Sequence, residues 1–159
     1  MTIKKGIYAA SMSIFNQDLS LDIESTIKHS EKLIKEGLHG AIFFGSTGCA
    51  QLISSKEKKN LIDRLNKNKI KEYFIIGTGT NSLNDNIDLM KHSLNNGIDR
   101  FLVMPPAYYK YDDEGVFSFY KNVVQKVPES KIILYNFEKL SGYKFSVHIV
   151  EKLVQNFPK

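Results

Sequence analysis

Four short segments gather the side chains of this sequence best suited to chemistry. They are Gly45-Ser46-Thr47-Gly48, Gly77-Thr78-Gly79-Thr80, Pro105-Pro106-Ala107-Tyr108-Tyr109 and Tyr135-Asn136, and each follows a short apolar run. All four present hydroxyls, and two present glycines. Hydroxyls beside open backbone N–H groups suit a small anion such as a carboxylate, and a tyrosine can relay protons. Other chemistries fit less well. Gly77-Thr78-Gly79 opens like a dinucleotide-binding fingerprint, but position 82 is Ser82, and the segment follows the third apolar run rather than the first. There is no GxxxxGK[ST] phosphate loop and no metal-ligand cluster. His29, His39, His92 and His148 show no HxxxH spacing and read as ordinary solvent-facing residues. Cys49 follows a glycine-rich turn, but no histidine is assigned to activate it as a nucleophile.

The elements that must position these residues alternate. Five β-rich runs, Gly6–Ile14, Ala41–Phe44, Tyr73–Ile76, Phe101–Met104 and Lys131–Tyr135, predict strands. All but the first are nearly continuous in apolar residues, as strands buried on both faces are. Between them lie stripes of helical period: Ile23, Ile27, Leu33 and Ile34; Leu83, Ile87, Met90 and Leu94; Val116, Tyr120, Val123 and Val127; Ile149, Val150, Leu153, Val154 and Phe157. Ser54-Ser55-Lys56-Glu57 reads as a capping box, and Gly37 and Gly97 sit where helix C-caps belong. The matching segments around Gly37 and Gly97 mark an internal βα repeat, and no linker divides the chain, so residues 1–159 read as a single domain.

Composition agrees with a globular enzyme-sized domain. The chain has 159 residues, 42% hydrophobic and 25% charged, enough to bury a core. No apolar run approaches the ~20 residues of a membrane span, and Met1-Thr2-Ile3-Lys4-Lys5-Gly6 does not open a signal peptide. The single cysteine permits no intrachain disulfide and points to a cytoplasmic setting. A net charge of +5 is spread over lysine-rich faces with two arginines, Arg64 and Arg100, which argues against a nucleic-acid partner. No cofactor is called for.

Five successive βα units predict an α/β fold with a parallel sheet and right-handed crossovers. An open doubly wound sheet is complete at five strands; a (β/α)8 barrel needs three more units, ~250 residues in all. Length favours the first. The strand-end motifs favour the second, because the four, taken in order, resemble the N-acetylneuraminate lyase / dihydrodipicolinate synthase family. These are pyruvate-dependent class I aldolases built on a (β/α)8 TIM barrel, and the resemblance covers the whole chain as about the first five βα units.

The resemblance implies roles. Tyr135 matches the tyrosine that shuttles protons beside the Schiff base, and Ser46 the hydroxyl that relays to it. Thr47, with the backbone N–H groups of its turn and Ser46, matches the holder of the pyruvate carboxylate. Tyr108 matches a tyrosine near a subunit interface that completes the relay in some members, which implies a homo-oligomer. Three positions depart from the family pattern: Cys49 replaces a glutamate, Glu138 a proline, and Leu140 the substrate-binding arginine of dihydrodipicolinate synthases. Leu140-Ser141-Gly142, with Lys144 beyond, is more similar to the sialic acid lyase branch. A lyase for a sugar-derived 2-oxo acid is therefore the leading expectation, with dihydrodipicolinate synthase activity or a non-catalytic half-barrel as alternatives. The family's Schiff-base lysine lies within a sixth strand. Lys159 falls before such a strand, and Lys110 and Lys139 match no family nucleophile, so the residues present are expected to lack it. The opened barrel is further expected to leave its first and fifth strands as edges and to expose Ile132 and Leu134 on its inner face.

Overall fold

In the computed structural model, which describes Ile3 and residues 5–158, five strands alternate with helices. The strands are β1 (Tyr8–Ala10), β2 (Gly40–Phe43), β3 (Phe74–Gly77), β4 (Arg100–Val103) and β5 (Lys131–Leu134). The helices are α1 (Ile23–Lys35), α2 (Ser55–Leu65), α3 (Leu83–Asn95), α4 (Asp113–Lys126), α5 (Glu138–Ser141) and α6 (Val147–Asn156). Five of the six helices start on a side-chain cap. Asp22, Ser54, Ser82, Asp112 and Ser146 accept from the backbone N–H groups of Ser25, Glu57, Asp85, Gly115 and Ile149, and such a cap contributes about 1 kcal/mol. The capping box at Ser54 and Glu57 is complete. Gly37 and Gly97 follow the C-caps of α1 and α3 with positive φ.

The strands pair in the order β1-β2-β3-β4-β5, all parallel. Two differences from the sequence reading have physical causes. β1 is three residues rather than Gly6–Ile14, because after Ser11 N–H, which still donates to Ile42 O on β2, the chain turns to α1: Ile14 N–H donates to Thr26 Oγ1 at 3.0 Å, and the Ser11 side-chain Oγ lies 2.6 Å from Ser30 Oγ. β2 begins and ends one residue early, because Phe44 turns into left-handed backbone (φ +58°).

Strand alternation sorts the side chains into two layers. Phe43, Phe74, Ile76, Phe101 and Val103 pack between the sheet and the helices, against Ile62, Leu65, Met90, Tyr120 and Val123. Ile132 and Leu134 belong to this helix side, where they line a groove of about 270 Å³ with Tyr120, Leu153 and Phe157. That corrects their expected inner-face position. Tyr135 points into the opposite face, so by the period of two Ile133 shares its side and the residues at 132 and 134 do not. No helix among the described residues is long and apolar enough to cross a membrane.

Candidate active site

At the C-terminal end of the sheet lies a cleft of about 550 Å³. Phe44, Gly45, Ser46 and Cys49 line it from the turn after β2, Gly79 and Asn81 from the turn after β3, and Met104 and Tyr108 from the chain after β4. Tyr135, directly after β5, and Leu140 on α5 close the other side. Among the described residues, four non-glycine residues have positive φ, and three of them, Phe44 (φ +58°), Cys49 (φ +54°) and Tyr108 (φ +79°), line this cleft. Left-handed backbone is costly for residues with a Cβ and concentrates where a site demands it.

Ser46 Oγ and Tyr135 OH lie 2.7 Å apart, with either able to donate. The turn that carries Ser46 is held from two directions. Cys49 N–H donates to Ser46 O at 3.1 Å and Ala50 N–H to Gly45 O at 3.3 Å, while Ser13 Oγ donates to Gly48 O at 2.7 Å. The backbone N–H groups of Ser46, Thr47 and Gly48 have no acceptor among the described residues. They form a short row of open donors next to the paired hydroxyls, an arrangement suited to a carboxylate.

The structure brings Ser46, Tyr135 and Tyr108 to one cleft. Thr47 shares the Ser46 turn but is exposed, and its side chain does not line the cleft. Tyr108 stands at the rim, 88% exposed, its ring edge-on to Tyr109 at 5.0 Å. None of the described residues whose side chains line the cleft is charged. Lys110, Lys139 and Glu138 are exposed outside it, and Lys159 lies outside the described residues. His92 pairs with Asp63 at 2.6 Å on the α2–α3 face, and none of the four histidines lines the cleft.

Three contributors escape sequence reasoning. Asn81 Oδ1 accepts from Ala107 N–H at 2.9 Å and ties the β3 and β4 turns together; its place four residues past a strand end was the only available signal. Ser13 lies in what reads as strand. Lys58 sits in the run Lys56-Glu57-Lys58-Lys59, which looks like a solvated helix face, yet its side chain is 3% exposed. Burial pulls the Lys58 ammonium down from its usual 10.5 to about 8, with the Asp85 charge opposing.

Against known proteins, the family model described as the dihydrodipicolinate synthetase family matches residues 4–159. The chain belongs to the dihydrodipicolinate synthetase family. It is 30% identical over 154 residues to a 4-hydroxy-tetrahydrodipicolinate synthase of Bartonella bacilliformis, covering 96% of this chain and 52% of that protein. It is 31% identical over 144 residues to an L-threo-3-deoxy-hexylosonate aldolase of Aspergillus niger, covering 85% and 43%. Among solved structures, YagE, an Escherichia coli K12 prophage protein of the dihydrodipicolinic acid synthase family crystallised with pyruvate, superposes with a TM-score of 0.87 at 27% identity, covering 99% of this chain and 53% of that one. The chain thus spans about half the length of the curated relatives it matches. Its parallel five-stranded sheet matches the TIM-barrel structures of this family as about the first five βα units. The preference for the barrel over an open sheet, drawn from the strand ends against the length, holds.

Proposed function

We propose that these residues form the proton-relay and carboxylate-holding part of a pyruvate-dependent Schiff-base lyase whose substrate is a sugar-derived 2-oxo acid. The observation that carries the reading is the Ser46–Tyr135 hydroxyl pair beside the open N–H groups of residues 46–48. In this reading the 2-oxo acid carboxylate accepts from those N–H groups, that of Thr47 among them, and from the Ser46 hydroxyl. Tyr135 OH then lies where the carbonyl carbon is attacked, and with Ser46 it moves protons as an imine forms and releases water. In the cleavage direction Tyr135 takes the proton of the substrate's C4 hydroxyl. The C3–C4 bond breaks, its electron pair passes to the imine, and an aldehyde leaves. Tyr108 completes the relay, and its exposed ring with Tyr109 seats a second copy of the chain in a cytoplasmic homo-oligomer.

Two features support the substrate class. The cleft holds the amides of Gln51 and Asn81 and the aliphatic side chain of Leu140 but no charge, which suits a hydroxylated, uncharged aldehyde portion. A charged amino-acid aldehyde, as a dihydrodipicolinate synthase requires, meets no cationic side chain there among the described residues. The similarity to an L-threo-3-deoxy-hexylosonate aldolase supports the sugar-derived portion, and that to a protein crystallised with pyruvate supports pyruvate itself. No lysine among the described residues lines the cleft, so the imine-forming amine is not among them.

The test is a titration of the isotopically labelled chain with pyruvate, followed by borohydride reduction. Amide shifts at Ser46, Thr47 and Gly48 with no mass gain on any lysine are expected. Absence of those shifts overturns carboxylate binding. A reduced adduct on Lys58, Lys110, Lys139 or Lys159 overturns the statement that the amine lies elsewhere.

A further inference from the structure

Lys58 is the one charged side chain among the described residues that is fully buried. It occupies the core-facing stripe of α2, whose other members Leu61, Ile62 and Leu65 are apolar. An ammonium placed there without a counter-charge is costly, and a leucine would pack without that cost. Among the described residues no carboxylate pairs with it. Its Nζ instead donates to two backbone carbonyl oxygens, Thr78 O at 2.9 Å and Gly79 O at 3.2 Å. Phe44, directly after β2, presents its ring with the centroid 5.9 Å from Nζ. From α3 the charge that reaches it is Asp85.

These contacts meet at the cleft wall. Gly79 lies so close to its neighbours that an added Cβ would stand 2.3 Å from Ala50 Cβ, 3.3 Å from Phe44 O and 3.4 Å from Lys58 Nζ. Phe44, Ala50 and Gly79 all line the cleft. Lys58 is therefore directly behind three lining residues, and it grips the start of the turn carrying one of them, at Thr78 and Gly79, while Asn86 Nδ2 holds the rest of that turn through Thr80 O at 2.9 Å and Ser82 O at 2.8 Å. The neighbouring Thr78 Oγ1 is buried with no hydrogen-bond partner among the described residues, so the Thr78 hydroxyl does not help to hold that turn.

We propose that Lys58 is a positioning residue for the cleft: its ammonium, through the Thr78 and Gly79 carbonyls, holds the turn after β3 so that Gly79 stays seated against Phe44 and Ala50. The grip follows the charge, because hydrogen bonds from an ammonium are about twice as strong as those from a neutral amine. Burial brings the loss of that proton down to about pH 8. Its effect on ligand binding rests on the reading given under Proposed function; its effect on the turn does not.

The test follows backbone amide resonances of Ala50, Thr78, Gly79 and Thr80 in the labelled chain from pH 7 to 9.5, alongside the Lys58 Cε resonance. All five should titrate with one midpoint. In Lys58→Arg the four amides should hold their low-pH positions throughout. In Lys58→Met they should lose the pH response and shift away from those positions, and pyruvate should bind about tenfold more weakly, the worth of one displaced hydrogen bond. A lysine that merely fills space would be replaced by Met with no such changes. Flat amide resonances while Lys58 Cε titrates, or turn resonances in Lys58→Met that match the unmodified chain, overturn the proposal. Should Lys58→Met fail to fold, the titration of the unmodified chain decides alone. A chain that binds no pyruvate refutes the carboxylate site and leaves the amide titration to judge Lys58.

Discussion

Ser46 and Tyr135 touch through their hydroxyls at 2.7 Å although they extend strands β2 and β5, which have two other strands between them. In a flat sheet those strand ends would be ~14 Å apart, three strand spacings. A side-chain hydrogen bond across that interval requires the sheet to be concave, with both residues on the inner face. The pair therefore reports barrel-like curvature as well as chemistry, because only a curved sheet lets two distant strand ends build one site.

Removing either hydroxyl should separate function from stability. The bond is solvent-accessible, so Ser46→Ala and Tyr135→Phe should each cost about 1 kcal/mol or less in urea denaturation. Ser46→Ala should weaken pyruvate binding about tenfold by calorimetry. The double variant should bind no worse than Ser46→Ala alone, since residues that act through one contact are not additive. Full additivity would mean that the two hydroxyls meet without acting together.

Much of this was legible in the residues. The buried strands announced themselves as continuous apolar runs, and Ser54 and Glu57 announced the start of α2, because these signals are local. The convergence of Ser46 with Tyr135 was legible only through strand-end position and family likeness, since 89 residues separate them. Lys58 was not legible at all: in a lysine-rich helix the identity of the one inward-facing lysine depends on the exact phase of the helix against the sheet. The length of β1 was equally hidden, since the side chains of α1 that capture its continuation lie 12 or more residues away.

Two glycine substitutions should diverge. Gly79 (φ +52°) would bring a Cβ to 2.3 Å from Ala50 Cβ, whereas Gly142 (φ +71°) has nothing within 4 Å of that position. Gly142→Ala should cost about 1 kcal/mol, the left-handed penalty alone. Gly79→Ala adds a steric overlap and should cost about 3 kcal/mol. Denaturant midpoints measured side by side decide this, and equal losses would mean that the turn after β3 relaxes freely.

Stability should be dome-shaped in alkaline solution. Lys58 has its folded pKa lowered from 10.5 to about 8, so below pH 8 both states are protonated and the burial penalty is fully present. Between pH 8 and 10 the unfolded chain holds the proton that the folded chain has released, so stability rises, on the order of 2 kcal/mol by pH 10. Tyr120 and Tyr143 act in the opposite sense: burial raises both above 10.0, with Asp113 adding to the effect at Tyr143. Above pH 10 the unfolded tyrosines ionise first and stability falls. In Lys58→Met the rise should vanish and the fall remain, as read from denaturation midpoints at pH 7.5, 9, 10 and 11.

The 159-residue chain should also self-associate. Among the described residues β5 pairs with β4 alone, so its other edge is open, and such edges template further pairing. The β5 edge is accessible for this, because all four of its residues are only half-buried while all four of the central β3 are buried. Beside it runs the apolar groove of Ile132, Leu134, Leu153, Val154 and Phe157, with Val154 58% exposed. Adjacent apolar surface and open edge favour a second copy over water. Sedimentation velocity should show a weight-average coefficient that rises with concentration. Val154→Glu should reduce that rise while leaving the melting temperature within a few degrees, since an exposed side chain contributes little to the core. A single species with the same coefficient at every concentration would show that β5 and its groove are stable in water as they stand.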